Sequence, residues 1–320
     1  MKALVTGGAG FIGSHLVESL LRDGHGVIVV DDLSTGHVRN LSAVADSASL
    51  QTCWMSILED GRLQDLVDEV DIVYHLAAAV GVRLILERPV QAIETNVLGT
   101  AYVLRCAAKG QKRVLIASTS EVYGKNVRVP LREDDDSRLG PTTKSRWGYA
   151  GSKAVDEFLG LAYHHAEAVP VAIVRYFNVV GPRQTDRYGM VVPRFVQQAL
   201  AGQPITVYGD GTQSRSFTDV ADAVRATLAL CRRPEAYGDV FNVGNAREVT
   251  INELAVRVKA LTGSRSEIVH VPYERAYADG FEDPRRRVPD VGKLRGLTDF
   301  MPEFDLDATL DKVIRYHRDR

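Results

Sequence analysis

The stretch Thr6-Gly7-Gly8-Ala9-Gly10-Phe11-Ile12-Gly13-Ser14-His15-Leu16 decides how the rest of this 320-residue chain is read. The apolar run of Lys2 to Val5 precedes it, and the pattern of His15 to Arg22, with apolar residues three and four apart, follows it. A strand, a tight glycine turn and a helix in that order form a phosphate-binding turn. Gly7 allows the sharp turn, Gly10 the close approach of backbone to a pyrophosphate, and Gly13 the packing of helix on strand. The exposed N–H groups and dipole of the helix N-terminus then favour an anion. Phe11 and Ile12 belong to the same turn. Asp31, eighteen residues beyond Gly13 at the end of a second apolar run, suits the adenine ribose and repels a 2′-phosphate. The expected cofactor is therefore NAD in preference to NADP.

Outward from this turn the same rhythm repeats. GVIVVDD, DIVYHLAA, KRVLIAST, VAIVRYF and DVFNVG are continuous apolar runs that end in small or polar residues. SHLVESLLRDG and NVLGTAYVLRCAAKG lie between them with helical spacing and a closing glycine. Strands apolar on both faces, alternating with amphipathic helices, indicate an α/β fold: a Rossmann-type doubly wound parallel sheet. From about Asn178 to Arg215, and again from Asn245, the rhythm breaks. Polar loops, the helix VVPRFVQQALAG, the short strand ITVYGDG and the helix INELAVRVKALTG suggest a smaller discontinuous α/β region. The expected division is 1–177 plus about 216–244 for the dinucleotide, and about 178–215 plus 245–320 for a substrate. The acidic run Glu133 to Asp136 reads as a solvated loop.

Composition narrows the function classes. A formal net charge of −2 gives no electrostatic attraction to nucleic acid or an anionic membrane. No run approaches the ~20 apolar residues of a membrane helix. Cys53, Cys106 and Cys231 are far apart with no CxxC pair, so neither a disulfide framework nor a metal site is expected, and the chain reads as cytoplasmic.

Tyr149 and Lys153 lie four apart in GYAGSKAVDEFL, which puts both on one helical face. A cation beside a phenol favours phenolate, so Tyr149 is a candidate general base. Thr119, at a strand end in ASTSEVYG, can share a hydroxyl hydrogen bond with the reacting oxygen.

Taken together, TGGAGFIGSH, HLAA, STSEVYG, YAGSK, RYFNVVGPR, ITVYGDGTQSRSFTDV and RRRVPD make the chain resemble the extended short-chain dehydrogenase/reductases, in the branch of NAD-dependent nucleotide-sugar epimerases, decarboxylases and dehydratases. The resemblance implies a catalytic triad of Thr119, Tyr149 and Lys153. It implies cofactor contacts at Leu76, Ala77, Ala78, Asn96 and Tyr176, and nucleoside diphosphate contacts at Asn178, Arg215 and Arg287. It also implies a homodimer built on two helices of each subunit. Val80 departs from the lysine found there in galactose-type epimerases.

All three reactions of the branch begin by oxidising the sugar at C4. Ser120 replaces the aspartate of the hexose 4,6-dehydratase type, which lowers that reading, while Glu121 is shared with the UDP-glucuronate decarboxylases. Arg187, in GPRQTDRYGM, is placed to bind a carboxylate at C6. With the Thr119 and Ser120 hydroxyls it would hold that carboxylate near the plane of the 4-ketone and so suppress loss of carbon dioxide. This placement resembles the UDP-glucuronic acid 4-epimerases. The first expectation is therefore conversion of UDP-glucuronic acid to UDP-galacturonic acid. UDP-glucuronate decarboxylation follows it, then UDP-glucose 4-epimerisation and 4,6-dehydration. A non-catalytic NAD-binding regulator is disfavoured because Tyr149 and Lys153 are both intact.

Overall fold

The computed structural model describes residues 1–59, 61–80, 87–185, 190–273 and 284–319. Its centre is a seven-stranded, wholly parallel sheet in the order β11-β6-β5-β4-β1-β2-β3. The strands are β1 (Lys2–Thr6), β2 (Gly26–Asp31), β3 (Leu50–Trp54), β4 (Ile72–His75), β5 (Arg113–Thr119), β6 (Val171–Tyr176) and β11 (Asp239–Val243). Residues such as Leu4, Val29, Val73, Leu115 and Ile173 are fully buried, as continuous apolar strands between two helical layers require. The expected Rossmann-type sheet is thus present. Strand β3 escaped the sequence reading because LQTCW buries only one of its five residues fully, as an edge strand does.

The helices α1 (Phe11–Arg22), α2 (Arg62–Asp68), α3 (Pro89–Lys109), α4 (Arg146–Glu167) and α6 (Val220–Cys231) cover this sheet. One apolar layer packs Leu16, Val17 and Leu20 of α1 with Ala223 and Val224 of α6. The other packs Leu63 and Val67 of α2 with Val103 and Leu104 of α3. Helix α6 starts where the Asp219 side chain accepts the Ala221 N–H, a cap worth about 1 kcal/mol.

The chain leaves the sheet after β6 and builds a third apolar core from discontinuous pieces. These are α5 (Val191–Leu200), β8 (Ile205–Tyr208), α7 (Ile251–Thr262) and α9 (Leu306–Arg318), which contribute Phe195, Val207, Leu254 and Val313. Strand β8 pairs with β13 (Ile268–Val271), and β9 (Ser214–Ser216) lies between β12 (Glu248–Thr250) and β14 (Arg286–Arg287). A further pair, β7 (Val179–Val180) with β10 (Thr218–Asp219), bridges towards the main sheet. Helix α7 begins with a reciprocal Thr250–Glu253 capping box and ends at Gly263, φ +66°. The C-terminal stretch also forms α8 (Gly292–Thr298) and α9.

Candidate active site

Strand order reverses between β1 and β4, and in a doubly wound sheet ligands bind outside the carboxyl ends of the strands at that point. There a cavity of about 730 Å³ opens, walled by Gly7, Gly10, Phe11, Ile12, Gly13, Asp31, Leu76, Ala77 and Ala78 on one side. On the other side lie Thr119, Ser120, Glu121, Arg146, Tyr149, Tyr176, Asn178, Arg183 and Arg287.

The glycine turn fits a dinucleotide for steric reasons visible in the backbone. Gly7 has φ +71°, and a Cβ there would meet the Ala77 nitrogen at 2.8 Å. A Cβ on Gly13 would fall 2.1 Å from the Gly7 carbonyl oxygen. Gly10 precedes α1 without a side-chain cap, so the first-turn N–H groups are left for a ligand. Asp31 Oδ2 accepts the Ala9 N–H at 2.9 Å and Oδ1 the Leu33 N–H at 2.8 Å. These bonds hold the carboxylate at the cavity wall. Burial pushes its pKa up, against the two backbone bonds.

The other expected cofactor contacts divide. Leu76, Ala77, Ala78 and Tyr176 line the cavity, with the Tyr176 hydroxyl turned away to Thr227 at 2.7 Å. Asn96 does not line it. Its Oδ1 accepts the Ala79 N–H at 2.9 Å and its Nδ2 donates to Ser152 at 3.0 Å. It fixes the loop after β4 to α4 and so shapes the wall from behind.

At the chemical centre, Tyr149 is buried and its hydroxyl is bonded to Thr119. Thr119 Oγ1 also accepts the Glu121 N–H at 3.2 Å, which leaves the threonine proton for the tyrosine oxygen. Lys153 has a partner that its spacing from Tyr149 did not reveal. Its ammonium lies 2.7 Å from Asp156, one turn along α4, and both are buried. That neighbour offsets the cation. Burial raises the Tyr149 pKa, the charges of Glu121 and Asp156 raise it further, and only the Thr119 bond opposes them. Beneath lies His75, its two ring nitrogens 2.8 Å from Thr6 Oγ1 and 3.0 Å from Thr100 Oγ1. Burial, then the Lys153 charge, pushes its pKa down to about 3.

A charged cluster closes the substrate side. Glu121 lies between Arg146, 2.7 Å away, and Arg287, with which it forms a short ion pair. Burial would raise its pKa, but the charges of Arg287 and Arg146 and their hydrogen bonds bring it down to about 2. The two guanidinium groups and the one carboxylate of this cluster carry a formal charge of +1 among the three and stand in the cavity wall. Arg146 was missed from sequence, although its place three residues before Tyr149 sets it on the same helical face. Of the other expected substrate contacts, Asn178 lines the cavity with φ +35°, bonded to the Ser216 carbonyl at 2.9 Å. Arg215 is buried on β9 and donates to the Ser214 carbonyl at 2.7 Å, outside the cavity wall. Arg187 lies outside the described residues. Arg183, unforeseen, lines the cavity and bonds Glu18 of α1 at 2.5 Å.

Among the described residues no group of three His, Cys, Asp or Glu could hold a metal ion, and no helix is long and apolar enough to cross a membrane.

Comparison with known proteins agrees with this arrangement. The NAD dependent epimerase/dehydratase family model matches residues 3–244. A UDP-N-acetyl-alpha-D-glucosaminuronate decarboxylase of Bacillus cytotoxicus is 44% identical over 319 residues, covering 99% of this chain and 98% of that one. UDP-glucuronic acid decarboxylase 1 of Danio rerio is 37% identical, covering 98% and 72%. Among solved structures, UDP-glucuronic acid 4-epimerase from Bacillus cereus, in complex with UDP-glucuronic acid and NAD, superposes with a TM-score of 0.90. It is 29% identical and the match covers 100% of this chain and 99% of that one. The glycine turn, the Asp31 acceptor and the Thr119–Tyr149 pair thus stand in a chain that uses NAD and belongs to the NAD-dependent epimerase/dehydratase family.

Proposed function

We propose that the protein is an NAD-dependent decarboxylase of a UDP-hexuronic acid, either the glucuronate or its 2-N-acetylated form. The observation that carries this reading is the Arg146–Glu121–Arg287 cluster in the same wall as Thr119 and Tyr149. It sets two guanidinium groups before an anionic sugar nucleotide beside the oxidation site. Likeness over nearly the whole of this chain to two decarboxylases supports the choice of reaction.

Tyr149 accepts the proton of the sugar 4-hydroxyl, and Thr119 steadies the same oxygen. When bound, NAD supplies the hydride acceptor for C4 and afterwards the donor that reduces the ketone. The 4-keto uronate is a β-keto acid. Its C5–C6 bond breaks heterolytically when it stands perpendicular to the carbonyl plane, releasing carbon dioxide and leaving an enolate. Hydrogen bonds from Tyr149 and Thr119 to O4 stabilise that charge as it develops. Protonation at C5 and reduction at C4 then give a UDP-pentose.

A second reading, 4-epimerisation of the uronate, is supported by Ser120 in the same wall, whose hydroxyl would hold a carboxylate near the carbonyl plane. Incubation with UDP-glucuronic acid or its N-acetylated analogue, with no added reductant, decides by NMR. A UDP-pentose and carbon dioxide are expected. A C4 epimer with its carboxylate intact would replace this reading with the second, and an unchanged uronate would remove both.

We also propose a homodimer, on the exposed Leu98 of α3 and the exposed Val155 and Phe158 of α4. Sedimentation at the mass of a single chain would exclude it.

A further inference from the structure

Strand β11 lies at the edge of the central sheet, away from the cavity wall, yet it contains a side-chain amide with no exposed surface. Asn242 is completely buried and uses every hydrogen-bonding group an asparagine side chain offers. Its Oδ1 accepts the Tyr123 hydroxyl at 2.7 Å. Its Nδ2 donates to the Leu131 carbonyl at 2.9 Å and to the Asp290 carbonyl at 3.1 Å. The backbone N–H is taken as well, by Glu133 Oε1 at 2.8 Å, which also corrects the reading of the Glu133 run as merely solvated.

Each of those partners leads to the charged cluster. Tyr123 ends the 3₁₀ turn Ser120–Tyr123 that carries Glu121. Asp290 lies three residues after Arg287, and the strap between them is fastened to Leu131. The Leu131 N–H donates to the Val288 carbonyl at 2.8 Å, and the Asp290 N–H to the Leu131 carbonyl at 2.7 Å. The two ends of the Glu121–Arg287 ion pair, 166 residues apart in sequence, therefore rest on opposite sides of one amide. Strand β14, which carries Arg287, is only two residues long and pairs with β9 alone. The strap needs this second fixing if the guanidinium is to keep its place.

We infer that Asn242 is a positioning residue: it holds the Ser120–Tyr123 turn and the Arg287 strap in register, so that the Glu121–Arg287 pair faces the substrate already assembled. This rests on the reading of Arg287 as a contact to the sugar nucleotide. Removing the amide leaves the cofactor wall untouched, because none of its partners belongs to the glycine turn or to Asp31. The loss must appear as weaker binding of the nucleotide and not of NAD. It must also vanish once Arg287 is gone, since a device that acts through Arg287 has nothing left to position.

The probe is UDP, which binds without turnover. Its affinity and that of NAD are measured by calorimetry for the wild type, Asn242→Ala, Arg287→Ala and the double variant. Asn242→Ala is expected to weaken UDP about ten-fold, the value of one or two lost hydrogen bonds. The double variant should bind no more weakly than Arg287→Ala, and NAD should bind equally well throughout. Independent, additive losses in the double variant, or equal weakening of NAD and UDP, would show a general structural role and overturn the inference. Should Asn242→Ala not fold, Tyr123→Phe removes only the hydroxyl. An about three-fold loss of UDP affinity, absent when Arg287 is alanine, supports the inference, and undiminished affinity overturns it. A wild type that binds UDP but turns over no uronate overturns the proposed reaction alone. One that binds no UDP overturns both.

Discussion

Tyr149→Phe is expected to lower kcat on the uronate by about three orders of magnitude, within the range for loss of a positioned acid–base group, while the fold and the NAD affinity stay in place. In the proposed reaction the Tyr149 oxygen receives the 4-hydroxyl proton, and Thr119 is oriented to serve it: its Oγ1 already accepts the Glu121 N–H. The ring packs among Ala79 and Ala92, contacts that phenylalanine keeps. Single-turnover rates together with NAD titration check this. Retention of more than about one-tenth of the wild-type rate would move the base elsewhere.

Glu121→Ala is the second large effect, and it is first an effect on stability. The carboxylate neutralises one of two guanidinium groups that are each only 7% exposed. Without it two like charges are left together in a poorly solvated wall, at a cost on the order of 3–5 kcal/mol. The pH dependence has a definite sign. The Glu121 pKa is depressed in the fold from 4.5 to about 2. Its contribution is therefore complete above its unfolded value and is lost as the pH falls from about 4.5 towards about 2. Urea unfolding should show the full gap between wild type and variant at neutral pH, closing only across that acid window. A gap that closed above pH 5 would contradict the pairing described.

Both variants concern residues that sequence reading had already marked, and the reason is local. Thr119, Tyr149 and Glu121 stand in short segments whose spacing alone places them, on one helix face or at one strand end. The six strands seen from sequence were legible because they are buried on both faces; β3, with its single buried residue, was not. What escaped was the set of partners brought in from afar. Asp156 could be seen one turn from Lys153, but only burial of both side chains turns that spacing into an ion pair that offsets the cation. Asn242 reads as an ordinary strand residue until Tyr123, Leu131 and Asp290 converge on it from 119, 111 and 48 residues away. Asn96 was placed at the cofactor by resemblance, whereas its hydrogen bonds commit it to the scaffold behind.

The titration states of His75 and Glu121 also bear on where protons come from. His75, at about 3, is an uncharged imidazole at every pH where the fold is expected to operate, and Glu121, at about 2, is a carboxylate throughout. These two groups are thus fixed in one form each. Hydroxyl protons, those of Tyr149, of Thr119, of the sugar and of water, are then placed to move. In the proposed decarboxylation, the hydrogen that arrives at C5 after carbon dioxide leaves is expected to come from a hydroxyl in exchange with solvent. A pentose made in heavy water would carry deuterium at that carbon as a record of the route.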